Sequence, residues 1–414
     1  MVLLSRFTAA TMALPLALAL ASAGRVDAAP RPLARLTVSA GEVARENTPV
    51  TVKLAPGLGA GKSLELRGPG EPLPVVIGPQ GTATFVIGKL ARGATARYEL
   101  VEHTGKTEPA AAGVEVKPEA SGVVITVGGK TAFHYRSQGA APRPEIAQKF
   151  VRGGYLHPVL TPQGVQVTDD YPEDHKHHHG IWTAWTDTEY EGRTPDFWNM
   201  GTQKARKDHV ALGPTFAGPS AGGFTAKLSS TDLLAKPPRI VLDEDWQVTL
   251  FRTHPKGAAP YFLFDLLWTD TLVGTSPLVL PQYRYGGLGV RGAAAWLDPA
   301  QVTFLTSEGK DRLAGDESKA RWVHMGGKVG GKPVGIAVLG HPSNFRAPQP
   351  LRIHPKEPYL SVSPPKEGKF SIEAGKPYVS RYRFVVADGP VDRALLERLY
   401  EDYAHPPEIT VAAP

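Results

Sequence analysis

The sequence predicts an all-β protein: a large antiparallel two-sheet supersandwich preceded by a small immunoglobulin-like β-sandwich, with one helix near the C-terminus. Three observations lead there. Short runs rich in β-branched and aromatic residues recur between Gly/Pro clusters, and the 44 Gly and 39 Pro among 414 residues follow no collagen period. Only one segment has a convincing helical period. Finally, 42% hydrophobic and 21% charged residues are ordinary for a globular chain long enough to bury a large core, and neither a coiled coil nor a polytopic membrane protein fits.

Taken in order, residues 1–28 read as a signal peptide. Arg6 precedes the apolar stretch Ala9–Ala23, which is too short to span a bilayer comfortably. Small residues at Ala21-Ser22-Ala23 and Val26-Asp27-Ala28 suit a signal peptidase. The mature chain is therefore expected in the periplasm or outside the cell. No later apolar segment is long enough for a membrane span.

Residues 31–118 form the expected small β-sandwich, with strands at Pro49–Leu54, Leu64–Arg67, Val75–Ile77, Ala83–Ile87 and Ala94–Glu102. The Ala-rich stretch Glu108–Gly113 marks the boundary. The large domain, 119–414, opens on a hairpin: Val123–Val127 and Lys130–Arg136 flank Gly128-Gly129, a two-residue turn that needs positive φ. Further strands are expected at Val165–Thr168, Gly180–Thr186, Asp245–His254, Tyr261–Thr269, Val334–Leu339 and Tyr378–Val386. The helix, Val391–Tyr403, sets Val391, Leu395, Leu396 and Leu399 on one face, with Pro390 in its first turn and Asp388 as cap.

A formal net charge of +6 is scattered along the chain without a basic run, so no nucleic-acid partner is expected. Cysteine is absent, which excludes disulfides, thiolate metal sites and a Cys nucleophile.

Three polar clusters could carry chemistry. The densest runs from Asp169 to Trp182 and contains His175, His177, His178 and His179. In an extended chain side chains alternate faces, so His177, His179, Ile181, Thr183 and Trp185 would share one face, and His178, Trp182 and Ala184 the other. Imidazoles titrate near neutrality, which suits a general acid/base or a substrate-binding pair. As an H-x-H pair, His177 and His179 could alternatively ligate one divalent metal ion, whereas an extended His175 and His179 stand about 13 Å apart. Turn histidines holding backbone groups are the third reading. Trp198 and Asp196 lie in the loop-like segment 194–199, where Trp198 could stack on a sugar ring. The second cluster, Gln282–Arg291, carries Arg284, Tyr285 and Arg291. Either arginine could bind a carboxylate bidentately or pair with an internal acid. Its glycines suggest a bent strand allowing close backbone approach. The third cluster, His341–Arg346, offers His341 and Asn344 at a strand end, as site wall or as turn chemistry.

The run HPVLTPQGVQVTDDYPEDHKHHHGIWTAWTD, followed by DFW, YGGLGVRG, HPSNFRAPQP and RYRFVVADG, resembles the bacterial family labelled "methane oxygenase PmoA", a domain of otherwise unknown function, over residues 125–390. The family's motifs fall on His178-His179-Gly180 and Asp196-Phe197-Trp198. The size and mostly-β pattern are similar to the galactose-mutarotase-type supersandwich, an architecture used by many carbohydrate-active proteins.

The resulting expectation is an exported carbohydrate-active protein, a hydrolase or lyase acting on a sugar or sugar-derived polymer. His178 or His179 is the expected acid/base and Asp174 its orienter. Trp198, Asp196, Arg284, Tyr285, Arg291, His341 and Asn344 are the expected binders of the carbohydrate or other small-molecule ligand. No cofactor is expected. The alternatives are a non-catalytic carbohydrate-binding protein and a metal-binding protein using His177 and His179. All three clusters are expected to converge on one cleft.

Overall fold

A computed structural model describes residues 31–103, 113–138, 143–253 and 260–414. The signal segment 1–28, most of the Ala-rich stretch 108–113, and His254 lie outside the described residues.

The first six strands, Ala34–Ser39, Arg45–Lys53, Leu64–Arg67, Leu73–Ile77, Thr82–Leu90 and Thr95–Glu102, form an antiparallel sheet. Their alternation is visible residue by residue: Leu36 and Val38 are buried while Arg35 is exposed. Leu36, Val38, Val50, Phe85, Ile87 and Leu100 come from both ends of the sheet and share one core, so the sheet closes over itself as a sandwich. A seventh strand comes from the far end of the chain: Glu408–Ala412 pairs with Ala34–Ser39.

The rest of the described chain builds two eight-stranded antiparallel sheets and a two-stranded one, Leu278–Leu280 with Phe370–Ile372. The front sheet runs, in spatial order, through Leu351–Ile353, Tyr359–Val362, Gly287–Arg291, Ile181–Ala184, Tyr155–Val159, Lys130–Arg136, Gly122–Val127 and Val114–Glu119. The back sheet runs through Ala205–Phe216, Ala221–Asp232, Arg239–Phe251, Tyr261–Leu272, Tyr378–Asp388, Lys332–Gly340, Trp322–Val329 and Val302–Thr306. Phe133, Leu156, Trp185 and Val290 of the front pack with Phe224, Trp246, Phe264 and Phe384 of the back in one continuous core. Face-to-face burial of this kind is what period-two strands require.

Inside that core lies a buried polar network. Lys207 donates to Glu244, and Glu244 Oε1 accepts from Thr183 at 2.7 Å and Trp246 Nε1 at 2.5 Å. Asp270 accepts from Trp185 Nε1 at 2.7 Å. Burial, reinforced by the Glu244 charge, pushes the Asp270 carboxyl well above its ordinary value, so it stays neutral beside the ion pair.

Four expectations are corrected. Val114–Glu119 pairs with Gly122–Val127, so the large sheet begins at Val114 rather than at 119. Residues 165–168 make only isolated bridges, Leu160–Gln166 and Thr168–Gly292, because they line a turn rather than a ladder. The strand expected over 245–254 spans Arg239–Phe251. The helix is Arg393–Ala404 and its cap is Asp392, whose carboxylate accepts from Leu395 N at 2.9 Å. Asp388 is still in the preceding strand and instead accepts from Thr161 Oγ1 at 2.6 Å and Gln163 N at 3.1 Å.

Candidate functional site

The site grows from the outer face of the front sheet. Along Ile181–Trp185, Ile181 and Trp185 point into the sandwich core, while Trp182 and Ala184 point outward. On that outer face Trp182 and Ala184 join Tyr155, Tyr359 and Trp198 in a second, smaller apolar cluster, against which Tyr285 packs. The indole of Trp182 lies flat over the neighbouring strand only because position 289 is glycine: a Cβ there would stand 2.6 Å from the Trp182 ring. This is the close approach expected of the glycine-rich run.

Above this cluster opens a cleft of about 160 Å³, lined by His175, His177, His178, Trp198, Asn199, Arg284, Tyr285, Arg352, His354 and Tyr359. Loops at the ends of adjacent strands supply it. The His loop is not extended. His175 N donates to Pro172 O at 3.1 Å and His178 N to His175 O at 2.8 Å, and these turns fold His175 back over His178. Their rings stack at 4.6 Å, and the other side of His178 stacks on Tyr359, also at 4.6 Å. His177 stands edge-on to His178, with ring centroids 4.7 Å apart.

The histidines differ in charge state because their surroundings differ. Glu357, then Asp174, hold a proton on His175 and raise it above its ordinary value. Burial lowers His177 to about 4 and pushes His178 well below the usual range. Burial also lowers His354.

His179 turns away from the cleft. It is fully buried; its Nδ1 is 2.7 Å from Asp170 Oδ1, and it stacks on Tyr155. Asp170, not Asp174, is therefore the carboxylate beside His179, and Tyr155 Oη fixes it by donating at 2.9 Å. Asp174 is bound by Arg291, whose Nη2 donates to both carboxylate oxygens at 3.0 Å, and it lies 3.3 Å from His175 Nδ1. Burial opposes ionisation of Asp174, and Arg291 overrides it, holding the carboxyl low.

Arg291 pairs with internal acids: besides Asp174 it donates to Glu357 Oε2 at 2.9 Å, and it is wholly buried. It braces the floor of the cleft and does not face its opening. Arg284 is exposed, lies over the Tyr285 ring at 5.7 Å and makes no ion pair among the described residues. Tyr285 walls the cleft, and burial pushes its phenol up to about 12. Trp198 also borders it but is 2% exposed, packed with Trp182 and Tyr359, so it does not offer the open ring face expected for stacking on a sugar. Asp196 holds the Trp198 loop from behind, accepting from Trp198 N at 3.1 Å and Asn199 N at 2.9 Å.

The third cluster does not join the other two. His341 lines a different cavity with Arg321, Trp322, Pro348 and Tyr400, beside the C-terminal helix. Asn344 is buried and bound to Arg381 on both sides of its amide, so it fixes a turn. The expected H-x-H metal pair does not form a ligand group either, since His179 is committed to Asp170. The group of three potential ligands among the described residues is His175, His178 and Glu357. Arg352, His354, Glu357 and Tyr359, which the sequence reading missed, all come from Arg352-Ile353-His354-Pro355-Lys356-Glu357-Pro358-Tyr359. Two prolines and four charged or imidazole groups between short strands were the available signal.

A family model described as "Family of unknown function (DUF6807)" matches residues 122–401. The chain belongs to this family. The DUF6807 match covers the stretch on which the sequence resemblance rested and carries no methane-oxygenase label. No curated protein matches the chain. Among solved structures, it is similar to a protein in the glycosyl hydrolase family 38 from Enterococcus faecalis, at 9% identity and a TM-score of 0.35, over 92% of this chain and 47% of that one. The chain thus spans about half the length of that protein. No helix among the described residues is long and apolar enough to cross a membrane.

Proposed function

We propose that this DUF6807 protein is an exported carbohydrate-active enzyme, a hydrolase or lyase, acting on a sugar or sugar-derived polymer that bears a carboxylate. One observation carries the reading: Arg284, without an acid partner among the described residues, stands at the rim of an aromatic-walled, imidazole-lined cleft. Aromatic faces suit the apolar face of a sugar ring, and an unpaired guanidinium suits an anionic substituent. The volume, about 160 Å³, is below the roughly 300 to 1,000 Å³ of whole drug-sized pockets and suits a single ring. The proton-transfer role falls to His177, which lines the cleft and makes no side-chain hydrogen bond among the described residues. His179, buried against Asp170, is not placed for it. Export rests on the N-terminal signal pattern.

A glycan screen on the mature protein, reading both binding and product release, tests this. Acidic glycans should bind and be cleaved. Binding without product would leave a carbohydrate-binding protein, and no binding to any acidic glycan would remove the proposal.

A further inference from the structure

The floor of the cleft holds a donor set whose chemistry does not depend on the sugar reading. His175, His178 and Glu357 each offer one ligand atom, and these atoms all lie within 4.8 Å of one another. His178 is 4% exposed, and its Nδ1 has no hydrogen-bond partner. His175 Nδ1 is ion-paired, 3.0 Å from Glu357 Oε2 and 3.3 Å from Asp174 Oδ2, and an ion there would replace the proton those carboxylates hold. A buried nitrogen without a partner costs stability, so the retention of His178 Nδ1 here calls for a partner that would use it.

Two imidazoles and one carboxylate suit zinc and its first-row neighbours; calcium and magnesium prefer oxygen donors throughout. The outer contacts also fit. Ligating carboxylates are usually held by further hydrogen bonds. Arg291, fully buried, donates to Glu357 Oε2 at 2.9 Å and grips Asp174, which borders His175. Because Arg291 and His175 both lie against Oε2, Oε1 is left for an ion.

We propose that His175, His178 and Glu357 bind one divalent transition-metal ion of the zinc class in the floor of the cleft, with Arg291 and Asp174 holding the set in position. Parallel rings cannot both aim lone pairs at one ion, and these two stand 18° from parallel. Binding therefore tilts one ring. His175 is the one with room, since a third of its side chain is exposed, whereas His178 is held between His175, Tyr359 and Trp182.

The test uses the mature chain without a histidine tag, treated with chelator and titrated with zinc chloride alone. The expected result is about one equivalent bound. His175→Ala and Glu357→Gln should each weaken it at least about ten-fold. His177→Ala, adjacent in sequence but outside the trio, should keep it. Uptake unchanged by both trio variants, or abolished by His177→Ala alone, would overturn the proposal. If a variant loses its native circular dichroism, zinc-edge anomalous diffraction from zinc-soaked wild-type crystals decides. A peak coordinated by all three residues supports the site, and no peak there refutes it. None of these readouts uses turnover, so the metal and the sugar reading fail separately.

Discussion

His324 shows how far one buried side chain can tie stability to pH. Its imidazole sits in the back sheet over Gly326 and Gly335, and a Cβ at Gly335 would stand 2.2 Å from its Nε2. Buried there, it is lowered to about 4 by burial alone. Unfolded, it would titrate near 6.5. Between those values the unfolded chain takes up a proton that the folded chain refuses, so folding stability falls as pH drops from about 6.5 to about 4. The contribution is about 3 kcal/mol over that window. Urea unfolding at pH 7 and pH 4.5 should show His324→Leu losing less stability on acidification than wild type; parallel losses would place the proton elsewhere. The adjacent pair His178 and His179 shows where residue-level reading stops. Alternation along 181–185 was legible because a strand enforces it. The preceding turns were not, because they depend on hydrogen bonds between backbone groups such as His178 N and His175 O that composition does not reveal. Those turns put His175 over His178 and send His179 to Asp170. The role of Arg291 was open for a similar reason: its acids, Asp174 and Glu357, are 117 and 66 residues away in sequence.

At the scale of elements, strands with clean alternation were legible: Leu64–Arg67, the hairpin around Gly128-Gly129, and the cores of Tyr261–Leu272 and Tyr378–Asp388. Ala205–Phe216 and Ala221–Asp232 were not, because glycines and polar residues interrupt their pattern and their pairing is broken by irregular register. The helix was found from its apolar face, but its start was misplaced by two residues and its cap by about one turn. Asp388 and Asp392 are both capping residue types, and the strand runs two residues beyond its expected end at Val386. Asp392→Ala should lower stability by about 1 kcal/mol, the usual worth of an N-cap. Asp392→Asn, which keeps an acceptor, should lose much less in the same denaturant titration. Equal losses would mean that the cap is not the reason.

For the whole molecule, the first described strand and the last one meet. Glu408–Ala412 completes the small sheet, and Asp402 of the helix accepts from Arg45 Nη1 at 3.0 Å and Thr48 Oγ1 at 2.9 Å. Both charges of that pair are buried, so the small sandwich is held to the helix by an ion pair that neither side could leave unmatched at low cost. The two-layer architecture was legible from strand spacing and chain length; this return of the C-terminus was not, since nothing local in 408–412 names its partner. The front sheet then does for the site what no single segment could. It brings the 175–178, 198–199, 284–285 and 352–359 stretches onto one outer face, while His341 is carried to a different cavity beside the helix. The most direct test of that convergence is calorimetric titration of an acidic oligosaccharide, taken from the glycan screen, into wild type and Arg284→Ala. Arg284 is exposed and makes no ion pair among the described residues, so the variant should melt close to wild type while its affinity falls at least about ten-fold, as expected when a charge-assisted contact is lost. Undiminished affinity in a folded Arg284→Ala protein would show that the ligand binds elsewhere.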